Sequence, residues 1–165
     1  MFELKKLHPG AIEKALQKAD RYRLLNEPAD AESICRDILA VEPGNAPARM
    51  ALILSLTDQF VRDGGPDPEQ VLRESDGLGT AYDRAYYGGI VCERAGRALL
   101  GRSGFGVLYG AYEWFRRAMD RFEEAERLAA PGDASALLRW NTCARLLNTR
   151  RDLEPEPASA PTLLE

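Results

Sequence analysis

A chain of 165 residues, 45% apolar and 29% charged, holds enough hydrophobic material for one domain that needs no metal or disulfide, which excludes a disordered sequence over most of its length. The net charge of -4 argues against nucleic acid, since a polyanion partner is held through a basic face that releases counterions. Three widely spaced cysteines, Cys35, Cys92 and Cys143, read as buried free thiols; with no apolar leader and no run of eighteen uncharged apolar residues, a cytoplasmic protein with no membrane partner is expected.

Pro9-Gly10-Ala11 opens a helix expected to reach about Leu25, with Ile12, Leu16, Ala19 and Tyr22 on its apolar stripe. Asn26-Glu27-Pro28 breaks it, and a second helix runs from Ala29 to Val41, burying Ala31, Ile34, Cys35, Ile38 and Leu39. Two helices joined by so short a link lie antiparallel. Glu42-Pro43-Gly44-Asn45 is a stop followed by a cap, because the residue before proline resists helix, glycine tolerates positive φ and the Asn45 side chain can accept a free N–H. The third helix, about Ala46 to Val61, is apolar around most of its circumference and should sit deep. Gly64-Gly65-Pro66-Asp67-Pro68 ends it, a short helix or turn follows to about Glu74, and Asp76-Gly77-Leu78-Gly79 reads as a loop.

From Thr80 a long helix reaches about Leu100. Gly88-Gly89 inside it costs about 1 kcal/mol per glycine against alanine, so the pair implies close approach by a neighbouring helix. Gly101-Arg102-Ser103-Gly104 turns the chain into a helix ending near Ala129, and the last helix spans Ala134 to about Thr149. The Glu-Pro-Glu-Pro composition cannot build a core, so the expected division is a helical domain over 1–151 and a disordered Pro/Glu-rich tail over 152–165.

One pattern occurs twice: Ala31, Cys35, Ile38 and then Pro43-Gly44-Asn45-Ala46; Ala118, Phe122, Ala125 and then Pro131-Gly132-Asp133-Ala134. On these residues the chain resembles a divergent tetratricopeptide-repeat protein, whose unit is a helix hairpin patterned W-x2-L-G-x2-Y…A-x3-F…P. Tyr22, Ala31, Cys35 and Pro43 take the matching places of one unit, with Ala15, Lys18 and Ala19 where the motif has Trp, Leu and Gly. Phe105, Gly106, Tyr109, Ala118, Phe122 and Ala125 match another, its proline displaced by one to Pro131. The resemblance implies an all-α fold of stacked antiparallel hairpins, six or seven helices in a solenoid, acting as a non-catalytic scaffold that binds a peptide or protein segment in a helical groove, with no cofactor. Leu16 and Asp20 stand where a subset of the family holds peptide carboxylates with lysine and asparagine, so that ligand is not expected.

The candidate partner-binding residues are Tyr87, Arg94, Arg97, Trp114, Arg117, Asn141 and Arg145. Tyr87 and Trp114 lie off the aliphatic stripes, and exposed aromatic and arginine side chains are the usual anchors of protein contacts. The competing reading has the aromatics packing between hairpins and the arginines paired with Glu93, Glu113, Glu123 and Glu124 within helical reach. Asn141 likewise reads as a groove residue or as a buried amide bonded to a loop carbonyl. His8, the only histidine, is expected to be exposed. The few lysines all precede residue 20, a distribution that GC-rich codon usage explains as well as an arginine-dependent function does. Two alternatives remain: a homo-oligomer, such as a homodimer, associating through the third helix or the aromatic face, and a small enzyme with a site assembled from distant residues.

Overall fold

Proline and glycine punctuation divides the chain into seven helices in the computed structural model, which describes residues 2–155: α1 (Ile12–Leu24), α2 (Pro28–Val41), α3 (Ala46–Thr57), α4 (Pro68–Ser75), α5 (Ala81–Leu100), α6 (Val107–Leu128) and α7 (Ser135–Thr149). A 3-10 turn, Pro9–Ala11, leads into α1, and the exposed His8 ring caps it by accepting the Gly10 N–H at 3.1 Å. No strand occurs among the described residues, and no helix among them is long and apolar enough to cross a membrane.

Three helices, α3, α4 and α5, start on a side-chain cap. Asn45 accepts the Ala48 N–H at 2.9 Å, Asp67 accepts that of Glu69 at 3.2 Å, and Thr80 accepts that of Asp83 at 3.0 Å while donating its hydroxyl to the Asp83 carboxylate. Gly106, at φ 78°, makes the left-handed turn from which α6 departs. Helix α3 stops at Thr57 rather than Val61, because residues 59–62 change to tighter bonds in which Gln59, Phe60 and Arg62 donate to carbonyls three residues back.

Small residues set the packing. Ala19 and Ala31, both fully buried, lie where α1 meets α2, and α3 packs against that hairpin and against α4 and α5. The α5–α6 pair is the longest and closest. A Cβ on Gly89 would stand 2.5 Å from the Phe122 ring, and one on Gly96 would stand 3.0 Å from the Phe115 ring. The glycines are therefore sockets for two rings that are themselves 0% exposed, each worth about 1.5–3 kcal/mol of burial. The expected close approach at Gly88-Gly89 is thus made by α6.

One core runs continuously from Ala19 of α1 to Cys143 of α7, with a smaller cluster of Ala85, Ala125 and Ala136 where α5, α6 and α7 meet. The three cysteines are buried and free. Burial pushes the Cys35 and Cys92 thiols up to about 11 and that of Cys143 up to about 12, so all three are protonated at neutral pH. Past α7, Leu153 tucks back into the body at 4% exposed and Arg150 pairs with Asp152 at 2.7 Å. The remainder of the expected tail, 156–165, lies outside the described residues.

Candidate functional site

The seven residues singled out in the sequence fall on three separate surfaces. Tyr87, Arg94 and Arg97 belong to α5, on the sides turned toward α1, α3 and α7. Arg94 is held in place from three directions, donating to the Leu54 carbonyl, the Thr57 hydroxyl and the Asp58 carboxylate at the end of α3. Asp58 also accepts from Arg23 of α1 at 2.9 Å, so one carboxylate ties three helices together. Burial lowers the Arg94 pKa, and the nearby cations Arg23 and Arg139 add to that, while Asp58 opposes it.

On the adjoining side of α5, Glu93 is only 5% exposed and accepts from Arg97 at 3.0 Å and from Arg139 of α7 at 2.8 Å. Arg139 also donates to the Tyr86 hydroxyl at 3.3 Å. Burial works against the Arg139 charge, but these bonds outweigh it and raise its pKa. Tyr87 is half-buried, edge-on to Tyr86 with centroids 5.5 Å apart, and burial followed by the Asp83 charge raises its phenol pKa. Chemically this region is saturated: its carboxylates already face guanidinium groups, which do not give up protons near neutral pH.

Trp114 and Arg117 face the other way, toward α4. The Arg117 guanidinium lies 4.1 Å from the Trp114 ring centroid and grips the Glu69 carboxylate with two bonds of 2.6 and 3.1 Å. One turn on, Arg121 holds Asp76 at 2.6 Å while its stem covers Gly88. Trp114 is half-buried against the core. Asn141 and Arg145 occupy a third place, the side of α7 away from buried Ala136 and Cys143, together with Leu137 and Leu138, which are 39% and 60% exposed. The Asn141 amide is half-exposed and bonds no described residue, so it is not the buried, carbonyl-bonded amide of the packing reading.

A further open surface pocket lies elsewhere, on α1. It is open, about 510 Å³ in volume, and is lined among the described residues by Lys14, Gln17, Lys18, Arg21, Tyr22 and Leu25. At 3.6 residues per turn, Lys14, Lys18, Arg21 and Leu25 line up along one edge of the helix, about 90° or more from the Ala19 side that faces the core. Lys18 sits 5.6 Å over the Tyr22 ring, and Leu25 is 60% exposed. None of the three cations has a carboxylate of a described residue within 4.0 Å, in contrast to Arg23, Arg94, Arg97, Arg117, Arg121 and Arg139. The sequence held a signal for this edge in the clustering of lysines near the start, where codon usage offered an equal explanation.

Comparison with known proteins yields no likeness to draw on: no family model, no curated protein and no solved structure matches this chain.

Proposed function

We propose that this chain is a non-catalytic interaction scaffold, a tetratricopeptide-like stack of helical hairpins that binds a protein or peptide segment at the open edge of α1. One observation carries this reading. Five arginines of the helical body, Arg23, Arg94, Arg117, Arg121 and Arg139, meet carboxylates across helices, whereas Lys14, Lys18 and Arg21 stand beside exposed Leu25 with no carboxylate of a described residue within 4.0 Å. Such a mixture of apolar body and free charge is suited to recognition: the apolar part supplies affinity and the charges supply orientation and encounter rate. The three buried thiols support action in a reducing compartment such as the cytoplasm.

Photo-crosslinking tests the reading in the cells that make the protein. A benzophenone side chain at Gln17, central in the groove, is expected to give discrete adducts that Arg21→Glu removes, while the same group at exposed Glu126 gives none of them. Identical adduct patterns from the two positions would refute it.

A second reading, self-association, is favoured by Leu128, Leu137 and Leu138, all at least 39% exposed around the end of α6 and the outer side of α7. The third helix is not available for that purpose, since Ala48, Ala51, Leu52, Ile53 and Leu56 are already buried within the chain. Light scattering of Leu138→Glu against the parent chain tests it; a mass equal to one chain for both at high concentration ends the idea.

A further inference from the structure

We infer that α4 is a releasable strap: a short helix, clipped to α6 by one ion pair at each end, that swings away as a unit and uncovers the seam between α5 and α6. This is independent of the reading of α1. The first argument is how little holds α4. Its 8 residues are too few for a helix to persist alone in water, so it is helical only while docked. It docks by one side, through buried Val71, Leu72 and Ser75. On its other flank two open clefts, about 300 and 230 Å³ in volume, lie between α4 and the α2–α3 hairpin. Leu39 and Ile53 line the first, and Glu32 and Leu56 the second.

The second argument is the contrast between the two ends of α4. Before it, residues 61–65 are exposed and include Gly64-Gly65, with Gly64 at φ 71°. After it, the chain is pinned: Arg49 donates to the Gly77 carbonyl at 3.0 Å, Arg84 donates to those of Leu78 and Gly79 at 2.9 and 3.0 Å, and Leu78 is 3% exposed. One end is therefore slack and the other is a pivot. Glu69, toward the slack end, is gripped by Arg117, and Asp76, beside the pivot, by Arg121. Both pairs are part-exposed, so salt weakens them. Beneath the strap lies Cys92, 0% exposed, its thiol set among the charges of Arg117, Arg121, Glu69 and Asp76, the members of the two clips. Cys35 and Cys143 lie among other charged groups, so release of α4 uncovers Cys92 alone. Once the carboxylates of α4 leave, the two guanidinium groups that stay favour the Cys92 thiolate, and the thiol becomes reactive as well as reachable.

The test alkylates the whole native chain with iodoacetamide and follows each cysteine in its own peptide by mass spectrometry. Each rate is taken relative to that of the same thiol in denaturant. At low salt Cys92 should react about tenfold faster than Cys35 and Cys143, since its cover alone opens locally. Raising the salt from about 0.02 to about 0.5 M should quicken Cys92 about threefold and leave the other two nearly unchanged. Glu69→Gln should quicken it about twofold to fivefold at low salt and reduce the response to salt, again with Cys35 and Cys143 unmoved. One common rate for the three thiols would overturn the inference, because Cys92 would then be reached only by unfolding of the whole body. A Cys92 rate indifferent to salt, or to Glu69→Gln, would overturn it too, because the ion pairs would not be what holds the strap.

Discussion

Four arginines of α5, α6 and α7 and three cations of α1 carry the same charge and are put to opposite use. The four guanidinium groups act inward, Arg94 on Asp58, Arg139 on Glu93, Arg117 on Glu69 and Arg121 on Asp76, each joining two helices, as Arg23 of α1 also does through Asp58. On α1, Lys14, Lys18 and Arg21 join nothing within the described chain. The difference shows that residue type alone does not tell a cation held by the fold from one left to solvent. What separates a structural cation from one available to a partner is whether the fold has already supplied its counter-ion.

That contrast is broken most severely from the structural side. Phe122→Ala empties the socket formed with Gly89 and is expected to lower stability by about 3–5 kcal/mol in urea denaturation. Next come changes of about 1–3 kcal/mol. Gly89→Ala should fall in that range, because its Cβ at 2.5 Å displaces a fully buried ring, and Phe122→Leu in the same chain should recover part of the loss. Arg139→Met should also cost about 1–3 kcal/mol, leaving nearly buried Glu93 with Arg97 alone. Thermal unfolding equal to the parent chain in either variant would contradict the packing described.

A smaller effect, about 0.2–1 kcal/mol, is expected for Glu69→Gln, since the Glu69–Arg117 pair is largely exposed. Its pH dependence has a definite sign. The hydrogen bond from Arg117 holds the folded Glu69 carboxyl below its ordinary 4.5, so the stabilisation is full at neutral pH, declines as the unfolded carboxyl protonates near 4.5, and is gone below the depressed folded value. The parent and Glu69→Gln stability curves should therefore converge in acid. Smallest of all, Lys14→Ala and Lys18→Ala should each stay within about 0.5 kcal/mol of the parent in urea denaturation. A larger destabilisation would assign these lysines to the fold.

Local features were legible in the sequence because their causes are local. Pro43-Gly44-Asn45 gave both the end of α2 and the cap of α3, the loop at 76–79 was visible in its glycines, and Gly88-Gly89 announced the approach of α6. The ion pairs were not legible. Helical reach pairs each arginine with a glutamate on its own helix, and only Arg97–Glu93 among the candidate site residues follows that rule. Arg94, Arg117 and Arg121 instead find Asp58, Glu69 and Asp76, partners 36 to 48 residues away whose proximity depends on how hairpins stack. The seven candidates were chosen by type and periodicity, and which of their charges the fold pairs is revealed only by the assembled helices.

The arginine knot at the end of α3 has a consequence for chain continuity. Residues 61–65 form an exposed crossing between α3 and α4 that a protease can reach. Severing it would not part the molecule, because the links across the cut bypass it. Arg94 reaches back to Leu54, Thr57 and Asp58, Arg102 reaches the Phe60 carbonyl, and Arg49 reaches forward to that of Gly77. Together with the packing of α3 on α4 and α5, these bonds are expected to hold the two pieces together after nicking, which gel filtration of the nicked chain checks.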